Sequence, residues 1–417
     1  MNQNIAGYDV RVPTGLLIDG RWREAQDGAQ VTVVDPATAK PLAEVASGGR
    51  ADAHAAVDAA AAAGPGWAAT APRERSEILR RSFDLMIERR DELARLIVAE
   101  NGKTLADARG EISYAAEFLR WYAEEAVRVA GQWQTAPSGA SRILVTRQPI
   151  GVALLITPWN FPAAMATRKV GPALAAGCTV VLKPATATPL TALALGALLQ
   201  EAGVPGGVVN VLPSARAAAV TPVMLRHRAV RKVSFTGSTE VGRTLLAQAS
   251  ERVLSCSMEL GGNAPLVDAG AVGKVNELVG EAVDRGATLA TGGPLHDRDG
   301  YFYSPTVLTA VRPGSRILGE EIFGPVAPIV VFDDVEEAVA LANDTEYGLV
   351  SYLYTEDLRE GMRVAEALAA GMIGLNRGVV SDPAAPFGGT KQSGLGREGG
   401  HEGLLEYTES KYIATQW

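Results

Sequence analysis

At 417 residues the chain exceeds one ordinary core and predicts two domains, and 47% hydrophobic with 21% charged residues is the balance of a soluble globular protein. A net charge of −8 provides no basic field for nucleic acid or anionic lipid, so neither a nucleic-acid nor a membrane partner is expected. Only Cys178 and Cys256 are present, which excludes a disulfide framework and fits a reducing cytoplasm; no apolar run is long enough to span a bilayer, and the N-terminus has no secretory pattern.

Short strands come first, Leu16 to Trp22 and Val31 to Val45, the latter broken at Asp35-Pro36. An alanine-rich helix follows over Ala51 to Ala63. Pro72 then opens a second helix that runs to Gly102, with Ile78, Leu79, Leu85, Met86, Leu93, Leu96 and Ile97 at helical spacing. A third helix is expected from Leu105 to Val129. After Ile150 the pattern changes to strand–helix alternation, with apolar strands at Gly151–Thr157, Cys178–Lys183, Gly207–Leu212, Lys232–Phe235 and Leu254–Glu259. Such strands joined by helices indicate a parallel sheet covered on both faces. A second alternating block begins after Asp268 with a helix over Val272–Arg285. Strands follow near Thr306–Ala310, Ala327–Phe332, Val350–Tyr354 and Met372–Asn376, then a glycine-rich loop from Pro386 to Gly400 and a strand-like tail to Trp417.

Chemistry is expected where strands end, because open α/β sheets bind ligands at the carboxyl ends of their strands. Thr157-Pro158-Trp159-Asn160 leaves the first parallel strand, and the Asn160 amide can either donate to a developing oxyanion or cap the next helix. Lys183 ends the next strand and can reach ribose hydroxyls or phosphate, or it is simply solvated. Thr186 is not acidic, so a ribose 2′-phosphate is tolerated there and NADP as well as NAD is allowed. Gly237-Ser238 opens a helix whose N-terminus offers free N–H groups to phosphate, although the segment is not a G-x-G-x-x-G fingerprint. Met258-Glu259-Leu260-Gly261-Gly262-Asn263 places a carboxylate at a strand end, the place for a general base. Glu320-Glu321-Ile322-Phe323 can bond a sugar and lean on a ring, or be a charged loop. The loop Pro386 to Glu398 reads as a constraint on the fold. Cys178 and Cys256 read as small hydrophobes with no cation beside them, and the four histidines as surface or local-structure residues with no metal spacing.

The order PWNFP, KPA, FTGSTEVG, MELGGN, EEIFGP, PFGGTKQSGLGRE resembles the aldehyde dehydrogenase superfamily over nearly the whole chain. MATRKVGPALAAGCTVVLKPA and NDTEYGLVSYLY make it most similar to the succinate-semialdehyde group. The resemblance implies an α/β fold with a Rossmann-like cofactor domain (1–131 and 150–267) and a second α/β catalytic domain, incomplete at its start (268–402). It also implies a β-hairpin oligomerisation element (132–149 and 403–417) in a homodimer or homotetramer. It implies oxidation of a small-molecule aldehyde to an acid, with Asn160 holding the oxyanion and Glu259 activating water. Thr157, Pro158, Trp159, Lys183, Thr186, Gly237, Ser238, Glu321 and Phe323 fall on cofactor-contacting positions. Arg168 matches an arginine that pairs with the substrate's distal carboxylate, and Ser381 falls near a second substrate position.

One departure is large. Family members follow ELGGN with a segment carrying the nucleophilic cysteine, whereas Leu266-Val267-Asp268 runs directly into AGAVGKVNELVGEAVDRG, making the chain on the order of 65 residues short. The expectation is an internal deletion near Val267–Asp268 that removes the cysteine and a second substrate arginine. Cys256 lies three residues before Glu259 on a strand and faces the other way. Oxidation is then weak or lost, and the alternative is an NAD(P)-binding protein without turnover.

Overall fold

The apolar stretches after Ile150 build the sheet that positions everything else. In the computed structural model, which describes residues 2–5, 7–261, 267–295 and 299–416, five parallel strands lie side by side. Their order is Ser255–Leu260, Val230–Gly237, Val152–Ile156, Thr179–Lys183 and Val209–Val211. Chain order reverses between Val152–Ile156 and Val230–Gly237, which is the switch point of a doubly wound sheet. Both strands are almost wholly buried, as expected when helices cover both faces. The sheet is not purely parallel. Gly394–Leu395 closes one edge antiparallel to Ser255–Leu260, and the hairpin Leu16–Ile18 with Arg21–Arg23 closes the other. That hairpin was expected as one strand, but Asp19 and Gly20 at positive φ turn it back on itself.

Two helices stand where one was expected. Pro72–Glu88 and Arg90–Asn101 meet at Arg89, whose φ of −99° and ψ of 20° break the helix. Periodicity cannot see this joint because apolar residues resume on the far side. The intervening Glu88-Arg89-Arg90-Asp91 has no core face, and Arg89 instead pairs with Glu201 at 2.8 Å. The third helix ends at Glu125, short of Val129. Every residue of the helix Ala164–Ala176 is buried, and its N-cap is Ala163, so Asn160 is not a helix cap.

The strands Gln132–Thr135, Arg142–Pro149 and Thr408–Thr415 form a separate antiparallel sheet that leaves Trp133, Tyr412 and Ile413 exposed. Beyond the helix Ala269–Asp284 the strands divide into two small sheets. One joins Thr288–Pro294, Tyr303–Thr309 and Val326–Pro328; the other pairs Val350–Leu353 with Met372–Leu375. The strand expected over Ala327–Phe332 stops at Pro328, and Val331 and Phe332 are 78% and 52% exposed. The helix Val335–Asn343 buries no residue, and Tyr352, Tyr354, Leu358 and Met362 also face outward. Gly262, Asn263 and Leu266, and with them part of the expected deletion junction, lie outside the described residues, as does His296.

Candidate active site

Thr157, Pro158, Trp159 and Asn160 leave the sheet at the switch point, where the Thr157 N–H donates to Lys183 O at 3.2 Å. The Asn160 peptide is clamped from one side. Asn101 Nδ2 donates to Trp159 O at 2.8 Å, and Lys103 Nζ donates to Asn160 O and to Glu111 Oε2, each at 2.6 Å. Glu111 Oε1 in turn accepts from the N–H groups of Ala163 and Ala164 at 2.9 and 3.3 Å. Burial pushes Lys103 down and Glu111 up, each opposed by its partner. Sequence reasoning overlooked this clamp. Its one signal was a run of polar residues, Asn101 to Thr104, between two helices. The Asn160 side-chain Oδ1 is buried and has no hydrogen-bond partner among the described residues.

Phe235 is aligned with both Ile156 and Met258, so Thr157 and Glu259 each stand one residue further along the same end of the sheet. Glu259 is 4% exposed, and neither carboxylate oxygen has a hydrogen-bond partner among the described residues. Burial first, then the charge of Glu398, push its carboxyl well above the ordinary range, while Lys169, Arg168 and Arg397 oppose them. The glycine-rich loop, read from sequence as a fold constraint, also walls this site. Gly394 pairs opposite Glu259, and a Cβ on Gly388 would lie 2.8 Å from Glu259 Oε1. The same loop delivers Glu398 to Lys169, whose Nζ also donates to Ser234 Oγ at 2.9 Å. Neither Lys169 nor Glu398 was anticipated from sequence.

Arg168 and Ser381, 213 residues apart, meet: Arg168 Nη2 donates to Ser381 Oγ at 3.1 Å and to the Tyr114 hydroxyl. The guanidinium is buried against the rings of Phe387 (4.1 Å) and Phe118 (5.0 Å).

On the other side of the switch point Lys183 is 4% exposed, and among the described residues its Nζ donates only to Pro184 O at 3.3 Å. Burial lowers its pKa to about 8. A cation so poorly partnered fits an oxygen-rich ligand such as a nucleotide ribose. Thr186 is spent on Ser214 O at 3.1 Å. Ser238 caps the helix Thr239–Ser250 by accepting from Val241 N–H. Phe323 meets Trp159 edge-on at 5.3 Å, which brings the EEIFGP segment to the switch point, and the Glu321 carbonyl accepts from Lys274 Nζ at 2.5 Å.

Both cysteines are accounted for. Cys178 is buried, donates to Tyr407 O at 3.2 Å, and burial pushes its thiol up to about 11. Cys256 donates to Leu254 O at 3.4 Å; burial raises its pKa, and Lys232 opposes the rise. The expectation of no neighbouring cation is therefore corrected. Lys232 comes from the adjacent strand, where its Nζ also bonds Ser257 at 2.6 Å and Glu406 at 3.1 Å.

The family model of the aldehyde dehydrogenases matches the chain over residues 22–267 and 264–413. The chain belongs to the aldehyde dehydrogenase family. It is 47% identical to a succinate-semialdehyde dehydrogenase of Paenarthrobacter nicotinovorans, over an alignment of 441 residues that takes in 89% of this chain and 98% of the relative. It is 42% identical to an NADP(+) succinate-semialdehyde dehydrogenase of Escherichia coli, covering 95% and 96%. Among solved structures, a succinate-semialdehyde dehydrogenase from Burkholderia pseudomallei superimposes with a TM-score of 0.95 at 42% identity, covering 97% of this chain and 98% of that one. A betaine aldehyde dehydrogenase from Staphylococcus aureus in complex with NAD+ gives 0.94 at 30% identity, covering 97% and 95%.

Proposed function

We propose that this chain binds NAD(P) and a semialdehyde with a distal carboxylate, and that it lacks the segment carrying the nucleophile, so that oxidation to the acid is weak or lost. The observation that carries this reading is the placement of its two cysteines. Cys178 is bonded to the Tyr407 carbonyl, and Cys256 lies on Glu259's own strand facing the opposite way. Neither thiol can attack a carbonyl held between Asn160 and Glu259. Three further observations support it. The family match falls into two pieces that meet at residues 264–267. An alignment of 441 positions with a relative takes in only 89% of a 417-residue chain. The part after residue 326 leaves large apolar side chains uncovered.

The site's own residues then divide their work. Lys183 and the N-terminus of the helix Thr239–Ser250 hold the dinucleotide, which supplies a hydride acceptor when bound. Trp159 and Phe323, packed edge-on at 5.3 Å, would offer it an aromatic surface. Asn160 donates to the aldehyde oxygen, Glu259 takes a proton from water, and Arg168 with Ser381 receives the distal carboxylate. The relatives act on succinate and glutarate semialdehydes and on 3-sulfolactaldehyde by name, all small aldehydes with an anionic end.

Purified protein mixed with succinate semialdehyde and NADP, and followed by absorbance of the reduced nicotinamide, tests the reading. Slow or absent turnover is expected, and turnover at the rate of ordinary family members would overturn it. A second reading, nucleotide binding in a homodimer or homotetramer without any turnover, is favoured by the exposed Trp133, Tyr412 and Ile413. Titration calorimetry with NADP separates the two from a chain that binds nothing.

A further inference from the structure

The side-chain cluster around Arg168 contains a residue that neither the family motifs nor the sequence assigned. Tyr114 comes from the helix Leu105–Glu125, and its hydroxyl bonds both Arg168 Nη2 and Ser381 Oγ. Arg168 is 2% exposed, yet among the described residues the carboxylate oxygen it pairs with, Glu398 Oε2, lies 3.8 Å away, beyond hydrogen-bond reach. Glu398 gives its other oxygen to Lys169. The Arg168 Nε–H is buried with no partner among the described residues. A guanidinium cannot shed its charge, so a buried one with an unpartnered N–H and only hydroxyls at bonding distance is arranged for an anion still to come. Both hydroxyls accept from Arg168 and one of them donates to the other, so the pair keeps a single O–H to give away. The cluster therefore offers the guanidinium and one free O–H, and the nearest carboxylate, Glu398, stays 3.8 Å from the guanidinium because Lys169 holds its other oxygen.

We propose that Tyr114 is a specificity-determining residue of this cluster, its hydroxyl bonded to Ser381 so that the pair turns one O–H, beside the Arg168 guanidinium, toward the carboxylate end of the ligand. The inference rests on the reading of Arg168 and Ser381 given above and adds the residue that makes their pocket selective. The Tyr114 ring is fixed independently of its hydroxyl, by edge-on packing against Phe118 at 5.0 Å and by the flank of the guanidinium at 5.7 Å. Phenylalanine therefore keeps the packing and removes only the hydroxyl.

The test is calorimetric affinity for succinate, a carboxylate at each end, against its neutral diamide, in wild type, Tyr114→Phe, Ser381→Ala and Arg168→Met. Melting temperature and NADP affinity are measured alongside. Wild type should prefer succinate. Tyr114→Phe should lose about tenfold of that preference, the scale of one hydrogen bond to a charged group, with melting and NADP binding unchanged. Loss of preference in Arg168→Met but not in Tyr114→Phe would overturn the role of Tyr114 and leave the anion pocket standing. A wild type with no preference for succinate would overturn the pocket and the role of Tyr114 together. Should Arg168→Met fail to fold, Ser381→Ala serves as the second member of the pocket.

Discussion

Glu100 is fully buried, and its two oxygens accept from Leu190 N–H at 2.7 Å and Thr191 N–H at 2.8 Å, capping the first turn of the helix Pro189–Glu201. Burial nevertheless outweighs those bonds and raises its carboxyl from 4.5 to about 7. A carboxyl raised on folding takes up a proton that the unfolded chain releases. Its contribution to stability is therefore complete below pH 4.5 and is lost as pH rises to about 7. Glu100→Gln should flatten the fall in melting temperature across that window, which a pH series of thermal denaturation would register. The cost below the window should be about 1 kcal/mol, for one weakened cap. At this same scale the sequence was readable where a polar residue ends an apolar strand, as Lys183 and Glu259 do. It was silent on Lys169 and Glu398. Lys169 sits in a helix whose every residue is buried, and its partner lies 229 positions away. No local pattern encodes a pairing that only the folded loop creates.

Between elements, the buried pair Lys103 and Glu111 ties the helix Leu105–Glu125 to the turn that presents Asn160. Removing one partner of a buried, hydrogen-bonded pair strands the other charge and costs about 3 kcal/mol or more. Lys103→Met and Glu111→Gln should each lower the denaturation midpoint by that order, and the double variant should lose less than the sum of the two. Additive losses in such a cycle would show that the pair does not act as a unit. The joint at Arg89 teaches a related lesson. Apolar spacing identified both flanking helices and could not count them, because a break in a wholly polar stretch leaves the periodic positions untouched. The antiparallel Gly394–Leu395 was equally hidden. Two residues in a glycine loop carry no strand pattern, and only their pairing with Met258 and Glu259 reveals them.

Over the whole molecule, burial is unevenly shared. The doubly wound half is packed around Trp67, Phe118 and Tyr122, whereas the stretch from Val326 to Leu375 buries almost nothing. Hydrogen exchange should therefore be fast across Val350–Leu353 and Met372–Leu375 and slow across Val152–Ile156 and Thr179–Lys183. Limited proteolysis should cut first between Val331 and Val379. Equal protection in the two halves would mean that the apolar face is covered in solution. The order of motifs made the fold legible across this entire length, but it could not indicate how thinly Val326 to Leu375 would be packed. That depends on which neighbours are present, and neighbours are not written in a periodicity.

The outward-facing Val331, Phe332, Tyr354 and Leu358 carry a consequence for the molecule inside a cell. Chaperones and proteases recognise such side chains as signs of an unfinished chain, and they compete for it from the moment of synthesis. Steady-state abundance then follows the outcome of that triage more closely than any midpoint measured on purified material. A single charged replacement such as Phe332→Glu should raise the amount of protein recovered without touching the doubly wound half.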